Sequence, residues 1–489
     1  MKYCLLSFFL LLFISNTAQE DLTSQLYETY DKYKEDALDK RRIKPYQVQL
    51  LVNELKKNKK FTVTKVGESI QGRDLNLISI GKGSIDVFLW SQMHGDEPTA
   101  TQAIFDIFNF LNSDDFVKEK REILARVKLH FLPMLNPDGA QLFTRRNALG
   151  IDINRDALRL QSPEGRTLKK VRDSLNPKFG FNLHDQSRYY NAERTAKPAT
   201  ISYLAPPFNY EKDINTIRGD AMKVIVFMNN IIQKYAPGQV GRYSDDFEPR
   251  AFGDNLTKWG TGVILIESGG YQNDREKQEI RKLNYVSILS ALYTIGKNTY
   301  KDIPIEDYEK IPHNDRKMFD LKLTNVTYHI DSIPYQLDLG IYRNEVDDRN
   351  HDKFHYESII ADQGDLSTYY GYETFDATGY TLVAPKVTEQ IIELPVNFEM
   401  VTDYEDFVTS GFAYLRAKGM EEVKPFQKAR INLVPEEFEL PEFNLRPGIT
   451  PNFFLKKDGK YTHAVLNGFL LDLSKPLDAQ EFGNALIYK

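Results

Sequence analysis

Three short apolar runs constrain this chain most: residues 85–93 (IDVFLWSQM), 179–183 (FGFNL) and 262–266 (GVILI). Each has the length of a strand, and such runs read as strands buried in a sheet. Each is also followed at once by a group capable of chemistry. His94 follows the first run, with Glu97 three residues on; His184 follows the second; Glu267 follows the third. Residues 98–112 carry Ala100, Ile104, Phe105, Ile107, Phe108 and Leu111 at helical spacing, and Pro98 suits a first helical position. His94 and Glu97 therefore sit in a strand-to-helix loop, at the carboxyl end of a strand where open α/β sheets bind their ligands.

A short loop lets an imidazole and a carboxylate three residues apart converge on one point, an arrangement that suits zinc. His184, in the equivalent place on another strand, makes available the third ligand of a two-histidine, one-glutamate catalytic site, leaving one coordination position for water. Beside such a metal Glu267 is suited to be a general base, taking a proton from water and passing it to a leaving nitrogen. Taken singly, each group is equally a solvated loop residue, a structural histidine or a solvated strand-end carboxylate. The repetition at three strand ends is what favours a metal site.

Between the runs lie Leu135-Asn136-Pro137-Asp138-Gly139, Arg145-Arg146-Asn147 and Asp152-Ile153-Asn154-Arg155. Asn-Pro and Asp-Gly mark a sharp turn after a strand at 127–134. Guanidinium groups such as those of Arg145 and Arg155 bind carboxylates as a fork, and a fixed cation can stabilise an oxyanion. With His-x-x-Glu, Asn-Pro-Asp-Gly, Arg-x-Asn, Asp-x-Asn-Arg, a strand-terminal His and a strand-terminal Glu in that order, the chain resembles the zinc carboxypeptidases over about residues 55–300. Gly67-Glu68-Ser69-Ile70-Gln71-Gly72-Arg73 resembles the family's lead-in to its first strands.

The resemblance implies one zinc ion per chain held by His94, Glu97 and His184, with Glu267 as the base. It implies that Arg145, preferred over Arg146 for its Arg-x-Asn spacing, polarises the scissile carbonyl, and that Asn154 and Arg155 grip the substrate's terminal carboxylate. The implied fold is α/β, a mixed and mostly parallel sheet with helices on both faces. The chain departs from the family where a mobile tyrosine is expected upstream of the base: Tyr243 lies in the right interval, in surroundings that match no familiar pattern. No specificity residue is assigned among Arg250, Phe252 and Asp254.

The chain has 489 residues, 41% of them hydrophobic, which is enough for more than one core. Its net charge is −6 with basic residues dispersed, so nucleic acid is excluded as the expected partner. Lys2, the apolar run 4–14 and Asn16-Thr17-Ala18 read as a signal peptide over 1–18, giving a secreted or periplasmic mature chain without a transmembrane segment. Cys4, the only cysteine, leaves with it. Residues 19–54, with Leu26, Tyr30 and Tyr33, are expected to form one or two surface helices, and 275–298 a long helix against the sheet. Residues 55–300 are expected as the catalytic domain. Residues 301–489 are rich in Tyr, Thr, Val and Phe with frequent turn signals, which predicts a β-rich accessory domain containing one helix at 402–418. His351 and His355 in that half are expected to be a solvated pair.

The expected function is hydrolysis of the C-terminal amide bond of peptides, on a peptide or peptidoglycan-derived substrate. Two rivals belong to other classes: a zinc amidase acting on cell-wall peptides or N-acyl amino acids, and a noncatalytic binding protein that retains the fold. The filled ligand and base positions argue against the second.

Overall fold

The computed structural model describes residues 22–393, 404–420, 426–427 and 429–485. The expected signal segment lies outside them, and none of the described helices is long and apolar enough to cross a membrane. The chain divides into two compact units, residues 1–316 and 317–489.

The first unit runs α1 (22–28), α2 (Pro45–Lys57), β1 (Thr62–Glu68), β2 (Asp74–Ile80), β3 (Ile85–Ser91), α3 (Thr99–Asn112), α4 (Val117–Arg126), β4 (Val127–Leu132) and α5 (Pro137–Gln141). It continues α6 (Pro163–Leu175), β5 (Phe179–Asp185), β6 (Asn191–Ala192), β7 (Ile201–Leu204), α7 (Thr216–Tyr235), β8 (Val240–Arg242), α8 (Phe252–Lys258), β9 (Gly262–Ser268), α9 (Gln278–Lys297) and β10 (Asn314–Asp315). Eight strands form one sheet in the order β1-β2-β4-β3-β5-β9-β7-β8. The pairs β3–β4, β3–β5, β5–β9 and β7–β8 are parallel; β1–β2, β2–β4 and β7–β9 are antiparallel.

Alternation along β3 explains why both faces are covered. Val87 and Leu89 join a core with residues of α3, α7 and α9, whereas Phe88 and Trp90 join a separate core with Leu168 of α6 and Phe252 and Leu256 of α8. The expected strands and the two long helices therefore form as read, with Pro98 as the residue just before α3 rather than its first.

Within the expected segment 19–54, the described residues 22–54 depart from surface helices. Leu26, Tyr30 and Tyr33 are buried in the main core. Tyr30 and Tyr33 pack their rings against Tyr285 of α9, and Tyr27 stacks on Tyr235 of α7 at 4.0 Å between centroids. Beneath them Arg281 and Asp106 form an ion pair with no solvent exposure, at 2.7 Å and 2.5 Å. The Tyr30 hydroxyl and the Glu35 amide donate to the same carboxylate, and Arg281 donates to the Leu38 and Glu35 carbonyls. One buried salt bridge thus holds α3, α9 and the N-terminal segment together.

Two further short helical turns, Thr299–Asp302 and Ile305–Lys310, stay with the first unit because Tyr300 and Tyr308 are buried in its core and β10 pairs with β6. The division at 316 therefore falls later than the expected 300.

The second unit is β-rich. Its main sheet follows the strands Phe354–Gly364, Ile333–Asp347, Met318–Ile330, Thr381–Val383, Phe453–Lys457, Lys460–Leu466 and Phe469–Asp472, with Tyr370–Asp376 pairing Met318–Ile330. A smaller parallel sheet comprises Lys386–Glu393, Phe412–Lys418 and Asn432–Pro435. The expected helix at 402–418 is not one element: helix Tyr404–Thr409 gives way to strand Phe412–Lys418, and residues 402–403 lie outside the described residues. Gly411 turns the chain between them with φ +92°, a conformation that side-chain-bearing residues avoid. His351 and His355 are not a solvated pair either. His351 sits in a turn against Asp347, whereas His355 is buried on its strand.

Replacing Asp106 by Asn should leave Arg281 as an uncompensated buried cation and cost about 3–5 kcal/mol of stability. Urea unfolding of the full chain reads this; a loss below about 1 kcal/mol would show that the pair is not what anchors the N-terminal segment.

Candidate metal centre

The three chemical groups converge because β3, β5 and β9 are parallel neighbours. His184 is the register partner of Glu267 across β5 and β9, and His94 follows the end of β3 on the other side of β5. The loop carrying His94 is tightly built. Leu135 and Asn136 donate their amides to the Ser91 and Gln92 carbonyls, and the Gln92 side chain donates to the Gly95 carbonyl. A Cβ on Gly95 would lie 2.1 Å from the Gly139 backbone, so the two turns approach as only glycine allows. Asp138 in the second turn accepts from Ser69, Gln71 and Arg73, which accounts for the lead-in motif at 67–73.

Within this frame His94 Nδ1 lies 2.7 Å from Glu97 Oε1, and His184 Nδ1 lies 2.7 Å from Glu97 Oε2. One ligand atom from each residue can be chosen so that all lie within 4.8 Å of one another, and all three residues are buried. Two imidazole nitrogens and a carboxylate form a donor set suited to zinc. His94 Nε2 meets Asp152 Oδ1 at 3.2 Å, which fixes the ring so that Nδ1 faces the cluster. His184 Nε2 is buried with no hydrogen-bond partner. The residues present therefore fit the ion.

The charges are strongly coupled. Burial by itself would lower the pKa of His94, but the Glu97 and Asp152 carboxylates lift it to about 9. Burial holds His184 below the ordinary imidazole value. Burial opposes ionisation of Glu97, yet the two imidazoles hold it well below the usual carboxylate range. Glu267 is pushed the other way, upward, by burial and then by the neighbouring Glu97 charge.

Arg145 reaches the same place. Its guanidinium lies 3.1 Å from His94 Nδ1 and 3.3 Å from Glu97 Oε1, and Asp152 Oδ2 accepts from its Nε and pairs with its terminal nitrogen at 3.0 Å. Arg146 instead donates to the Gly150 carbonyl at the surface. Asn154 and Arg155 follow Asp152 on a 3-10 turn, and their side chains bond to the segment 248–252 rather than to the cluster. Asn154 Oδ1 accepts from the Phe252 amide, and Arg155 pairs with Glu248 at 3.4 Å.

Several residues at this site had no role assigned from sequence. Asp152 was visible only as part of Asp-x-Asn-Arg, and its partner His94 is 58 residues away. Tyr243 follows β8 and packs its ring against Tyr190; burial, the Glu267 charge and Tyr190 all raise its pKa. Lys277 and Asp185 form a further pair beneath the cluster. Asp254, near the start of α8, accepts the Glu248 amide with its buried carboxyl, and burial raises its pKa to about 7.

Comparison with known proteins gives a match of residues 49–200 to the family model described as zinc carboxypeptidase. The chain is 29% identical over 135 residues to a probable carboxypeptidase 2 of Trichophyton verrucosum, a span covering 27% of this chain and 25% of the relative. It is 30% identical over 119 residues to carboxypeptidase E of Caenorhabditis elegans, covering 19% and 25%. The match thus spans about a quarter of the length of these relatives. Among solved structures, a metallo-carboxypeptidase from Burkholderia cenocepacia aligns with a TM-score of 0.43 at 16% identity, covering 52% of this chain and 69% of that one.

The raised pKa of Asp254 carries a sign. Its folded value of about 7 exceeds the unfolded value near 3.8, so the folded state binds the extra proton and stability falls as pH rises from about 4 to about 7. Asp254→Asn removes that loss. In metal-free protein the variant should gain stability relative to wild type at pH 7.5 over pH 4.5, measured by urea unfolding; a difference independent of pH would contradict the burial of this carboxyl.

Proposed function

We propose that the first unit, which matches the zinc carboxypeptidases over residues 49–200, is a zinc-dependent carboxypeptidase that removes the last residue of a peptide. The observation that carries this reading is the buried His94, Glu97 and His184 cluster with Glu267 in register beside His184. His94, Glu97 and His184 would hold one ion per chain. When bound, zinc supplies a Lewis acid that lowers the pKa of water and polarises a carbonyl.

The remaining work falls to side chains. Glu267, part-accessible at the strand end, takes the proton of the attacking water on its carboxylate and returns it to the departing amine. Arg145, braced by Asp152, presents its guanidinium to the charge that develops on the scissile carbonyl oxygen. Arg155, accessible over about a third of its side chain (37%), receives the substrate's terminal carboxylate, with Asn154 beside it pinned to the start of α8. The substrate is a peptide or a peptidoglycan-derived peptide, and the reading of 1–18 as a signal peptide supports a secreted or periplasmic location.

The zinc-loaded full chain should remove single residues from free-acid peptides, and C-terminally amidated versions of the same peptides should survive. Mass spectrometry of the products decides; internal cuts, acyl release or equal cleavage of amidated peptides would overturn the exopeptidase reading. Glu267→Gln should reduce kcat by about 10²–10⁴-fold with zinc content unchanged by elemental analysis. Undiminished turnover would remove Glu267 from the base role.

A further inference from the structure

Beside the cluster, one ammonium group bonds the segments that follow His184 and Glu267 and reaches the segment of Glu97 through Asp185. Lys277 Nζ donates to the Ser268 carbonyl at 2.8 Å, and Ser268 is the residue after Glu267. It donates to Asp185 Oδ2 at 3.1 Å, and Asp185 is the residue after His184. The same Asp185 oxygen accepts from Thr99 Oγ1 at 2.6 Å, two residues after Glu97. Asp185 also returns to the ligand set directly, because its amide donates to Glu97 Oε2 at 3.3 Å. Lys277 and Asp185 are both nearly buried.

The backbone aims Lys277 at this point. Asp274 accepts the amides of Gln278, Glu279 and Ile280, which caps the start of α9. The Lys277 amide donates to the Asp274 carbonyl, closing a turn in which Lys277 has φ +53°, a left-handed conformation costly for a residue with a side chain. On the far side, Asn284 of α9 donates to Ser268 Oγ at 2.9 Å. The start of α9 is therefore rigidly tied to the end of β9. A surface lysine would need none of this.

We infer that Lys277 is a positioning residue: through Ser268, Asp185 and Thr99 its ammonium fixes the relative placement of the Glu267, His184 and Glu97 segments, preorganising the site for its ion. The inference rests on the zinc-peptidase reading for its functional consequence, and its structural half stands without metal. Its charge also offsets the gathering of Glu97, Asp185 and Glu267, since it acts on Glu267 as an attractive cation.

Three variants of the full chain, compared with wild type, test it: Lys277→Met, which keeps the length and removes the charge; Lys277→Arg; and Thr99→Val, which removes one hydroxyl bond. In metal-free protein, hydrogen exchange at 94–99, 184–187 and 267–269 should accelerate at least tenfold in Lys277→Met at all three segments together, and little in Lys277→Arg. Zinc affinity by chelator competition should fall about 10–100-fold in Lys277→Met, in the same direction but less in Thr99→Val, and recover in Lys277→Arg. In the loaded enzyme kcat should fall while KM shifts less than about threefold. Faster exchange confined to 267–269, or wild-type zinc affinity in Lys277→Met, would overturn the inference. If Lys277→Met fails to fold by circular dichroism, unchanged exchange and zinc affinity in Thr99→Val overturn it instead. Wild-type protein that binds no zinc would defeat the peptidase reading, whereas the exchange result in metal-free protein would still decide the role of Lys277.

Discussion

The site depends on one constraint: β3, β5 and β9 run parallel and adjacent. Neighbouring strands lie about 4.8 Å apart, so groups at their carboxyl ends come within reach of one another without any long loop. His184 and Glu267 are direct register partners, and His94 enters from the turn after β3. The parallel arrangement requires helices on both faces, and the two cores against α3, α7 and α9 and against α6 and α8 meet that need. The geometry of the candidate site and the topology of the sheet are here the same fact.

Buried and half-buried carboxylates then tie this scaffold together at a distance. Asp138 joins the turn after β4 to the lead-in at 69–73, Asp152 joins Arg145 to His94, and Asp106 joins the N-terminal segment to α9. Each is costly to bury and each is offset by several donors, including a cation. Such groups favour one arrangement over its alternatives, because a slip of any segment would leave a charge unpaired. Lys277 with Asp185 belongs to the same class, differing in that its contacts end on the residues adjoining the proposed ligands and base.

Legibility in the sequence followed how local the cause was. The apolar runs at 85–93, 179–183 and 262–266 report strands because burial on both faces needs only the run itself, and His94, Glu97, His184 and Glu267 inherit their placement from those strand ends. The spacing of Ala100 through Leu111 reports α3 for the same reason. Leu26, Tyr30 and Tyr33 mislead because charged neighbours disguise a stripe that the fold buries, with Tyr30 and Tyr33 meeting partners such as Tyr285, Asp106 and Phe110 far along the chain. Asp152 and Lys277 carry no local pattern: their partners are brought to them by the fold. At 402–418 the expected single helix divides into helix Tyr404–Thr409 and strand Phe412–Lys418, with Gly411 at positive φ between them.

The central claim is that two separated chain segments, at 94–97 and 184, build a single cation site that a third, at 267, faces. Anomalous diffraction at the zinc edge, on crystals of the full chain grown with zinc, tests it most directly. The account predicts one strong peak bounded by His94, Glu97 and His184, with Glu267 facing it. A peak elsewhere, or zinc bound without His184, would contradict it.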